Sequence, residues 1–305
     1  MIELSVIICS YNRYKLAAES AAAVATSSSF DGGRMELIVV ENTPPAHRRK
    51  FELHDAARMI VCDEPGLSHA RNAGIAASSG KIVAFVDDDA VVSDKWCAAV
   101  LAGFDAAPSA AIGGGRTVPR FTSAERPVWY YDELAHYLSC IDWGTKVHPI
   151  EPSQWIVGAN MAFRREVFDQ AGYFDPALGR KGEASLLSNE EIAMFKRVGR
   201  ENVYYFPDML AEHIIPDDRI SLEWFRKRVF WQAVSDVLAG EVYKSPAQAA
   251  NDLYEMVSRA PADVRGHRLL SYAPATPEAM KDQLVAVYAQ GLLMAWGFPP
   301  DAMKA

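Results

Sequence analysis

Three consecutive carboxylates, Asp87, Asp88 and Asp89, are the residues of this chain with the clearest chemical meaning. They follow the apolar run Ile82 to Val86, which has the unbroken hydrophobicity of a buried parallel strand. In open α/β sheets, ligands bind outside the carboxyl ends of such strands. Carboxylate oxygens suit Mg²⁺ or Mn²⁺, and these ions in turn bridge phosphate groups. The triplet therefore predicts a metal–diphosphate site, and the alternative is a solvated acidic turn.

Polar residues also end the other strands predicted for the N-terminal part of the chain. The carboxyl ends of parallel strands meet at one edge of a sheet, so these side chains should line a common cleft. They are Ser10-Tyr11-Asn12-Arg13, Glu41-Asn42-Thr43 and Asp63-Glu64.

The elements that position these residues alternate between short apolar runs and helical segments, which predicts an α/β fold. Such alternation indicates a mostly parallel sheet with helices on both faces. The predicted strands are Leu4–Cys9, Met35–Val40, Met59–Cys62 and Ile82–Val86, with a fifth near Ala110–Ile112. The predicted helices are Lys15–Thr26, His47–Ala57, His69–Ala77 with Ser68 as N-cap, and one that starts at Ser93.

Beyond residue 115 the pattern becomes irregular and then helical. An apolar segment, Trp155–Phe163, predicts a strand in which Gly158 marks a close backbone approach. A glycine-rich loop at 172–182 indicates a hinge, and a strand from Val203 leads through a proline to His213. A helix from Ser221 to about Ala239 and two more helices complete the chain. We expect a nucleotide-binding half at 1–115, an acceptor-binding and catalytic half at 116–220, and a C-terminal helical region at 221–305.

Composition narrows the class of protein. With 305 residues, 50% of them hydrophobic, the chain can bury a full core. Its net charge of −8 argues against a general nucleic-acid binder. Four cysteines without a C-x-x-C pair fit a reducing compartment, and the start of the chain lacks a basic apolar leader. We expect a cytoplasmic protein; the alternative is peripheral contact with the inner face of the membrane through the helix at 284–298.

Six segments in order resemble one known family, the family 2 glycosyltransferases of the GT-A fold. The resemblance covers roughly residues 1 to 235. The segments are SVIICSYNR at 5–13, VVEN at 39–42, GLSHARNAG at 66–74, FVDDDA at 85–90, GANMAFRR at 158–165 and EHIIP at 212–216.

The resemblance implies transfer of a sugar from a nucleotide diphosphate donor to an acceptor, with inversion at the anomeric carbon. Developing charge on the leaving diphosphate calls for a divalent ion, Mn²⁺ or Mg²⁺. Asp89 would be the direct ligand, and Asp87 and Asp88 would divide the ribose and water-mediated metal contacts. His213 is the second ligand candidate, which leans toward Mn²⁺, and its alternative role is structural.

The nucleotide contacts implied by the resemblance come from four places. Glu41 stands where the family usually has Asp, which leaves a UDP donor favoured but lengthens the side chain. Arg71 falls where the family contacts the base or phosphate, and its alternative is the helix surface. The other contacts are Ser10, Tyr11, Asn12, Arg13, Asp87 and Asp88.

For the base that takes the acceptor's proton, the family uses a Glu-Asp pair at a helix start. Here the pair is Glu190-Glu191, so Glu191 takes the Asp position and Glu190 remains an alternative; both could instead serve only the helix dipole. Aromatic rings stack on sugars, which suggests a glycan, lipid-linked or small-molecule acceptor near residues that could equally be core. These are Trp129, Tyr130, Trp155 and Asn160.

Two other functions compete with this interpretation. A nucleotidyltransferase of related fold would begin with a glycine-rich phosphate loop after the first strand, which Ser10-Tyr11-Asn12-Arg13 lacks. A nucleotide-sugar-binding protein with impaired catalysis is suggested by the departures at Glu41 and Glu191.

Overall fold

The computed structural model describes residues 1–123, 125–178, 188–263 and 272–297. Contacts divide the chain into two units. The first unit comprises the described residues of Met1–Arg120, Leu138–Gly182 and Glu190–Ile214. The second unit comprises those of Phe121–Tyr137, Glu183–Asn189 and Ile215–Ala305.

A mixed sheet with helices on both faces forms the first unit. Its strands are β1 (Leu4–Ser10), β2 (Met35–Glu41), β3 (Ala57–Val61), β4 (Ile82–Asp87), β5 (Ala90–Val92), β6 (Ile112–Phe121), β7 (His148–Pro149), β8 (Asn160–Arg164) and β9 (Val203–Ile215). Its helices are α1 (Tyr14–Ala25), α2 (Leu67–Ala77), α3 (Trp96–Ala106), α4 (Glu166–Ala171) and α5 (Glu190–Val198). Within the described residues the sheet has nine strands in the order β3-β2-β1-β4-β8-β6-β9-β5, with β7 paired to β9.

Strands β1 to β4 are parallel, and the later strands add antiparallel pairs. β2 and β4 flank β1 in parallel, and β3 continues on β2. β8 runs antiparallel to β4, and β5 runs antiparallel to β9. The predicted α/β class, with a C-terminal helical extension, is confirmed.

The core lies on both faces of this sheet because successive strand side chains point to opposite sides. In β1, Val6 and Ile8 belong to one buried cluster, which helices α1 and α3 complete. Ile7 belongs to the opposite cluster, which α2, α4 and α5 cover. Gly74 of α2 permits a close helix–strand contact, because a Cβ there would lie 2.5 Å from the Ile7 side chain.

Three predicted elements differ from the structure. The predicted helix at 47–57 is wrong: only a 3-10 turn, Pro45–His47, forms there. Phe51 and Leu53 pack on the core from irregular chain, without a helical apolar stripe. The helix predicted from Ser93 starts at Trp96, because the residues after the carboxylates first form β5.

The other difference concerns the segment Trp155–Phe163, in which only Asn160 onward is strand. Helix α2 begins at Leu67 after Gly66, whose φ of 137° serves as the helix entry, so Ser68 is not the N-cap. Of the predicted hinge loop at 172–182, residues 179–182 lie outside the described residues.

Three helices form most of the second unit: α6 (Leu222–Ala239), α7 (Pro246–Arg259) and α8 (Pro277–Gly297). This matches the prediction of three C-terminal helices. The Ser221 side chain caps α6, and Ser245 forms a capping box with Gln248 at α7. Gly291 lets α8 approach α6, since a Cβ there would be 2.8 Å from the Phe230 carbonyl oxygen. Along the described ranges, no helix combines the length and apolar character needed to cross a bilayer.

Candidate active site

Strand register places the polar strand ends side by side at one edge of the sheet. Ser10, the last residue of β1, is the partner of Glu41 at the end of β2. On the other side of β1, Cys9 is the partner of Asp87 at the end of β4. The shared edge that the sequence predicts is therefore present.

A short antiparallel pair brings His213 to the carboxylates. In the β5–β9 register, Ala90 is the partner of His213, and the Ile214 amide donates to the Asp89 carbonyl at 2.7 Å. As a result, one ligand atom from each of Asp87, Asp89 and His213 lies within 4.8 Å of the other two. His213 and Asp89 are buried, whereas the Asp87 side chain is 34% exposed.

The His213 ring is oriented for a cation. Its Nδ1 lies 2.7 Å from the Leu138 carbonyl oxygen, which only accepts, so Nδ1 carries the hydrogen. Nε2 then directs a lone pair at Asp89 Oδ1, 2.8 Å away. Two acceptor atoms this close need a proton or a cation beside them, and about 3 Å is the spacing of neighbouring ligands around an octahedral ion with bonds of about 2.1 Å. The Asp87–Asp89–His213 group thus fits a divalent cation.

The middle carboxylate, Asp88, faces the other way. Its oxygens accept from the Ser10 hydroxyl at 2.9 Å and from Arg13 Nη1 at 3.4 Å, while Arg13 also contacts Asp89 Oδ2 at 2.6 Å. Burial raises the pKa of Asp88, and the neighbouring charge of Asp89 raises it further. Arg13 partly offsets this crowding of negative charge, and its side chain remains 39% exposed.

Glu41 retains an acceptor atom for a ligand. Its Oε1 accepts from the Thr43 amide at 2.8 Å, whereas Oε2 is buried and has no hydrogen-bond partner among the described residues. Asn12 adopts a left-handed φ of 56° and donates its amide hydrogen to the Thr43 hydroxyl at 2.8 Å, which fixes the β1 loop beside β2. Tyr11 next to it is half-buried. A buried carboxylate oxygen left over in this way suits an N–H donor of a nucleotide base.

A second acidic group lies at the start of α5, where Glu190 pairs with Arg71. Arg71 Nη1 is 2.6 Å from Glu190 Oε1, and Nη2 is 3.9 Å from Asp87 Oδ1. The Arg71 and Glu190 side chains are only 2% and 5% exposed. One buried guanidinium therefore lies between the metal-type cluster and the Glu190–Glu191 pair.

Glu191 combines partial exposure with a hindered ionisation. The residue is half-buried, and its Oε2 is enclosed with no hydrogen-bond partner in the described part of the chain. Burial raises the pKa of Glu191, the charge of Glu190 raises it further, and Arg71 opposes both. A partly exposed glutamate with a raised pKa has the properties of a general base.

Two predicted ligand contacts have structural partners instead. Arg71, predicted to contact the nucleotide, is 2% exposed and pairs with Glu190. Asn160, predicted as an acceptor contact, is fully buried, and both its amide nitrogen and its amide oxygen form internal hydrogen bonds. Its Nδ2 donates to the carbonyls of Arg116 at 3.0 Å and Met209 at 2.7 Å, and its Oδ1 accepts from the Trp96 indole at 2.8 Å.

Asn160→Ala should therefore act on stability. It leaves an indole N–H and two carbonyls buried without partners, and we expect roughly 2–4 kcal/mol of lost unfolding free energy. Thermal unfolding measures this loss. Asn251→Ala is the matched control, since this amide on α7 is exposed and, among the described residues, its side chain bonds only to Glu255. The change should alter the free energy of unfolding by less than about 0.5 kcal/mol.

The predicted aromatic residues are distributed over both units. Trp155 of the first unit is half-buried and meets Trp143 at a ring distance of 5.0 Å. In the second unit, Trp129 is buried against Phe225 at 5.9 Å, and Tyr130 packs on Phe121 at 6.0 Å. Only Trp155 lies in the unit that holds the acidic clusters.

Sequence reasoning missed two positioning contacts, both with backbone carbonyls. The Gly158 carbonyl accepts from Arg71 Nη2 at 3.4 Å, and a Cβ on Gly158 would approach that nitrogen to 2.4 Å. The glycine within an apolar segment did signal this close approach. The Leu138 carbonyl that orients His213 carried no sequence signal, because any residue offers a carbonyl.

Comparison with known proteins identifies the class. The glycosyl transferase family 2 model matches residues 5–172, more than half of the chain, and the chain belongs to this family. It is accordingly a glycosyltransferase, which confirms the enzyme class predicted from the six segments.

The relatives extend the similarity beyond the family model. The chain is 25% identical to the glucosyl-dolichyl phosphate glucuronosyltransferase of Haloferax volcanii, over 97% of this chain and 95% of that protein. It is 24% identical to the succinoglycan biosynthesis protein ExoM of Rhizobium meliloti, over 75% and 72%. Among solved structures, the mannosyltransferase PcManGT from Pyrobaculum calidifontis in complex with GDP-Man and Mn²⁺ shares the fold, with a TM-score of 0.56 at 17% identity over 95% and 87% of the chains.

Proposed function

We propose that this enzyme transfers a sugar from a nucleoside diphosphate donor to a polyprenyl-phosphate-linked sugar, with inversion at the anomeric carbon. The favoured donor is a UDP-sugar. The observation that carries the proposal is the convergence of Asp87, Asp89 and His213 within 4.8 Å. Arg71 joins this cluster to a second pair of carboxylates, of which Glu191 is half-buried. One cluster suits the diphosphate and the other suits the acceptor's proton.

Asp89, Asp87 and His213 would hold Mn²⁺ or Mg²⁺. When bound, the ion supplies positive charge for the departing diphosphate. Arg13, partly exposed beside Asp88 and Asp89, adds a second cation at the same edge. These residues together offset the charge that develops on the leaving group.

The nucleoside end of the donor would lie over the ends of β1 and β2. Glu41 Oε2 is a buried, unused acceptor there, and a uracil ring presents a single imide N–H to such an oxygen. Ser10, Tyr11 and Asn12 form the neighbouring loop. The other oxygen of Glu41 already holds the Thr43 amide, which fixes the carboxylate in one orientation.

Glu191 would take the proton from the acceptor hydroxyl as that oxygen attacks the anomeric carbon. Attack from the face opposite the leaving diphosphate inverts the configuration, so base and leaving group belong on opposite sides of the sugar. The Glu190 side chain is committed to Arg71 at 2.6 Å, which makes it the weaker candidate for this role.

The acceptor class follows from the Haloferax volcanii relative, named for a glucosyl-dolichyl phosphate substrate and aligned over nearly its whole length. Such an acceptor resides in a membrane, so we place the enzyme at the cytoplasmic membrane surface. Trp155, half-buried in the first unit, is the aromatic candidate for stacking on the acceptor sugar.

The test is a donor panel. UDP-glucuronate, UDP-glucose, UDP-N-acetylglucosamine and GDP-mannose are each incubated with dolichyl-phosphate glucose, with Mn²⁺ or with EDTA, and products are identified by mass spectrometry and anomeric NMR. We expect transfer from a UDP-sugar, loss of transfer in EDTA, and an inverted linkage. The Glu191→Gln protein, purified in parallel, controls for contaminating transferases.

Each other outcome overturns a part of the proposal. Transfer from GDP-mannose alone would reject the UDP assignment, and full activity in EDTA would reject the metal. Metal-dependent UDP binding without turnover of any donor would favour a nucleotide-sugar-binding protein, as the departures at Glu41 and Glu191 first suggested.

A further inference from the structure

Within the described chain, Arg71 forms ion pairs with both acidic groups, at 2.6 Å to Glu190 and 3.9 Å to Asp87. We propose that Arg71 is a positioning residue: it fixes Glu190 beside Glu191 and supplies the positive charge that faces both carboxylates in a buried setting. The inference rests on the proposed function, in which Glu191 is the base.

Helix α2 binds the chain segment around Phe174 and Leu178, which precedes α5. Ser68, Arg71 and Asn72 lie at helical spacing i, i+3 and i+4, on one face of α2. The Ser68 hydroxyl donates to the Leu178 carbonyl at 3.0 Å. The Asn72 side chain makes two bonds to the Phe174 backbone, at 2.9 and 3.0 Å. This face of α2 therefore binds the later part of the first unit, and Arg71 is part of that contact.

A further support is the enclosure of the guanidinium. The rings of Phe85 and Phe174 lie 5.8 and 5.3 Å from the Arg71 guanidinium carbon. On a further side, Gly158 leaves room for Nη2 and accepts from it. With water excluded, the attraction between Arg71 and its carboxylates is little screened, and loss of either partner leaves a buried charge uncompensated.

The Arg71 guanidinium balances negative charge from the Glu190–Glu191 pair. Glu190 on α5 and Asp87 on β4 are the carboxylates that face Arg71 together with Glu191, and burial already disfavours the ionised form of Glu191. Without Arg71, Glu190 and Glu191 would be adjacent, partly buried and both negative. Two such groups retain a proton between them, as carboxylates that share a site do. The pKa of Glu191 would then rise further than in the wild-type protein.

Arg71→Met should accordingly move the acid limb of the pH–rate profile to higher pH. We expect at least about a tenfold loss of kcat at pH 7, since one pH unit of displacement is one decade in the ionised fraction, and a smaller loss at pH 9. Arg71→Lys keeps the charge, so its acid limb should move less than half as far as that of Arg71→Met. The assay uses the donor of the panel that the wild-type enzyme turns over.

The double variant Arg71→Met/Glu190→Gln separates charge from structure. It removes one positive and one negative charge, so the net charge around Glu191 is that of the wild type. We expect its acid limb to return to within about half a pH unit of the wild-type position. If Arg71 served only for packing, the double variant would be at least as impaired as Arg71→Met and its limb would not return.

A titration that needs no turnover distinguishes failure of this inference from failure of the proposed function. Carboxyl ¹³C NMR on glutamate-labelled protein follows Glu191, which is assigned by loss of its signal in Glu191→Gln. Arg71→Met should raise the titration midpoint of this signal and the double variant should restore it. An unchanged midpoint in a folded Arg71→Met protein overturns the inference, whereas inactivity toward every donor overturns the proposed function alone.

Discussion

Asp89→Asn is expected to lower metal-dependent transfer by about 100- to 1,000-fold, because it removes a negative charge from the Asp87–Asp89–His213 cluster that we propose holds the ion. Among the described residues, Asp89 contacts Arg13 at 2.6 Å, His213 Nε2 at 2.8 Å and, through its backbone, the Ile214 amide at 2.7 Å. An amide keeps the shape of the side chain but loses its charge. Binding of UDP in Mn²⁺, measured by calorimetry, should weaken toward the affinity seen in EDTA.

The control for this variant is Glu212→Gln. Glu212 precedes His213 on β9 and is exposed, so the change removes a carboxylate from the same strand without touching the cluster. We expect its UDP binding and its response to EDTA to match those of the wild-type enzyme. A full EDTA response in Asp89→Asn, equal to that of Glu212→Gln, would exclude Asp89 as a ligand.

The sequence predicts the edge where the carboxyl ends of β1, β2 and β4 meet, because the sequence patterns that indicate it are local. Continuous apolar runs identify β1, β2 and β4, and parallel packing brings Ser10, Glu41 and Asp87 to one edge. Each prediction needs only the composition of a few neighbouring residues. That part of the fold was therefore predictable almost to the residue.

The meeting of His213 with Asp89 could not be predicted in the same way. It depends on β5, three residues long, which is too short for a periodic pattern and follows the carboxylates directly. The register of β5 with β9 then decides which residue faces Ala90. Strand pairing over more than a hundred residues leaves no local trace, and only the six ordered segments suggested His213 as a ligand.

The buried partner of Arg71 could not be predicted from the sequence either. Its place on a short helix suggested a ligand contact or a solvated surface, whereas its partner Glu190 is 119 residues further along the chain. The only sequence hint of a buried partner was the glycine at 158, which makes room for the guanidinium. Buried ion pairs between distant elements are decided by tertiary packing, which residue spacing does not encode.

Glu191→Gln is expected to lower transfer by about 100- to 10,000-fold, because the amide cannot accept the acceptor's proton. Donor affinity should stay within about twofold of the wild-type value, since the direct donor contacts proposed above lie at the ends of β1, β2 and β4. UDP calorimetry in Mn²⁺ and the transfer assay separate these two effects. A full-rate variant would reject Glu191 as the base.

The pH profile distinguishes Glu191 from Glu190. A base works in its ionised form, so the rate falls as pH drops through its pKa, and burial with the Glu190 charge raises the pKa of Glu191 above the ordinary glutamate value of about 4.3. In Glu190→Gln the neighbouring charge is gone and Arg71 is left to stabilise Glu191 alone, so the acid limb should move to lower pH while the rate at neutral pH survives. If Glu190 were the base, the same variant would lose transfer at every pH. The amide still offers an oxygen to Arg71, and a thermal midpoint measured beside the profile shows that any loss of rate is not a loss of fold.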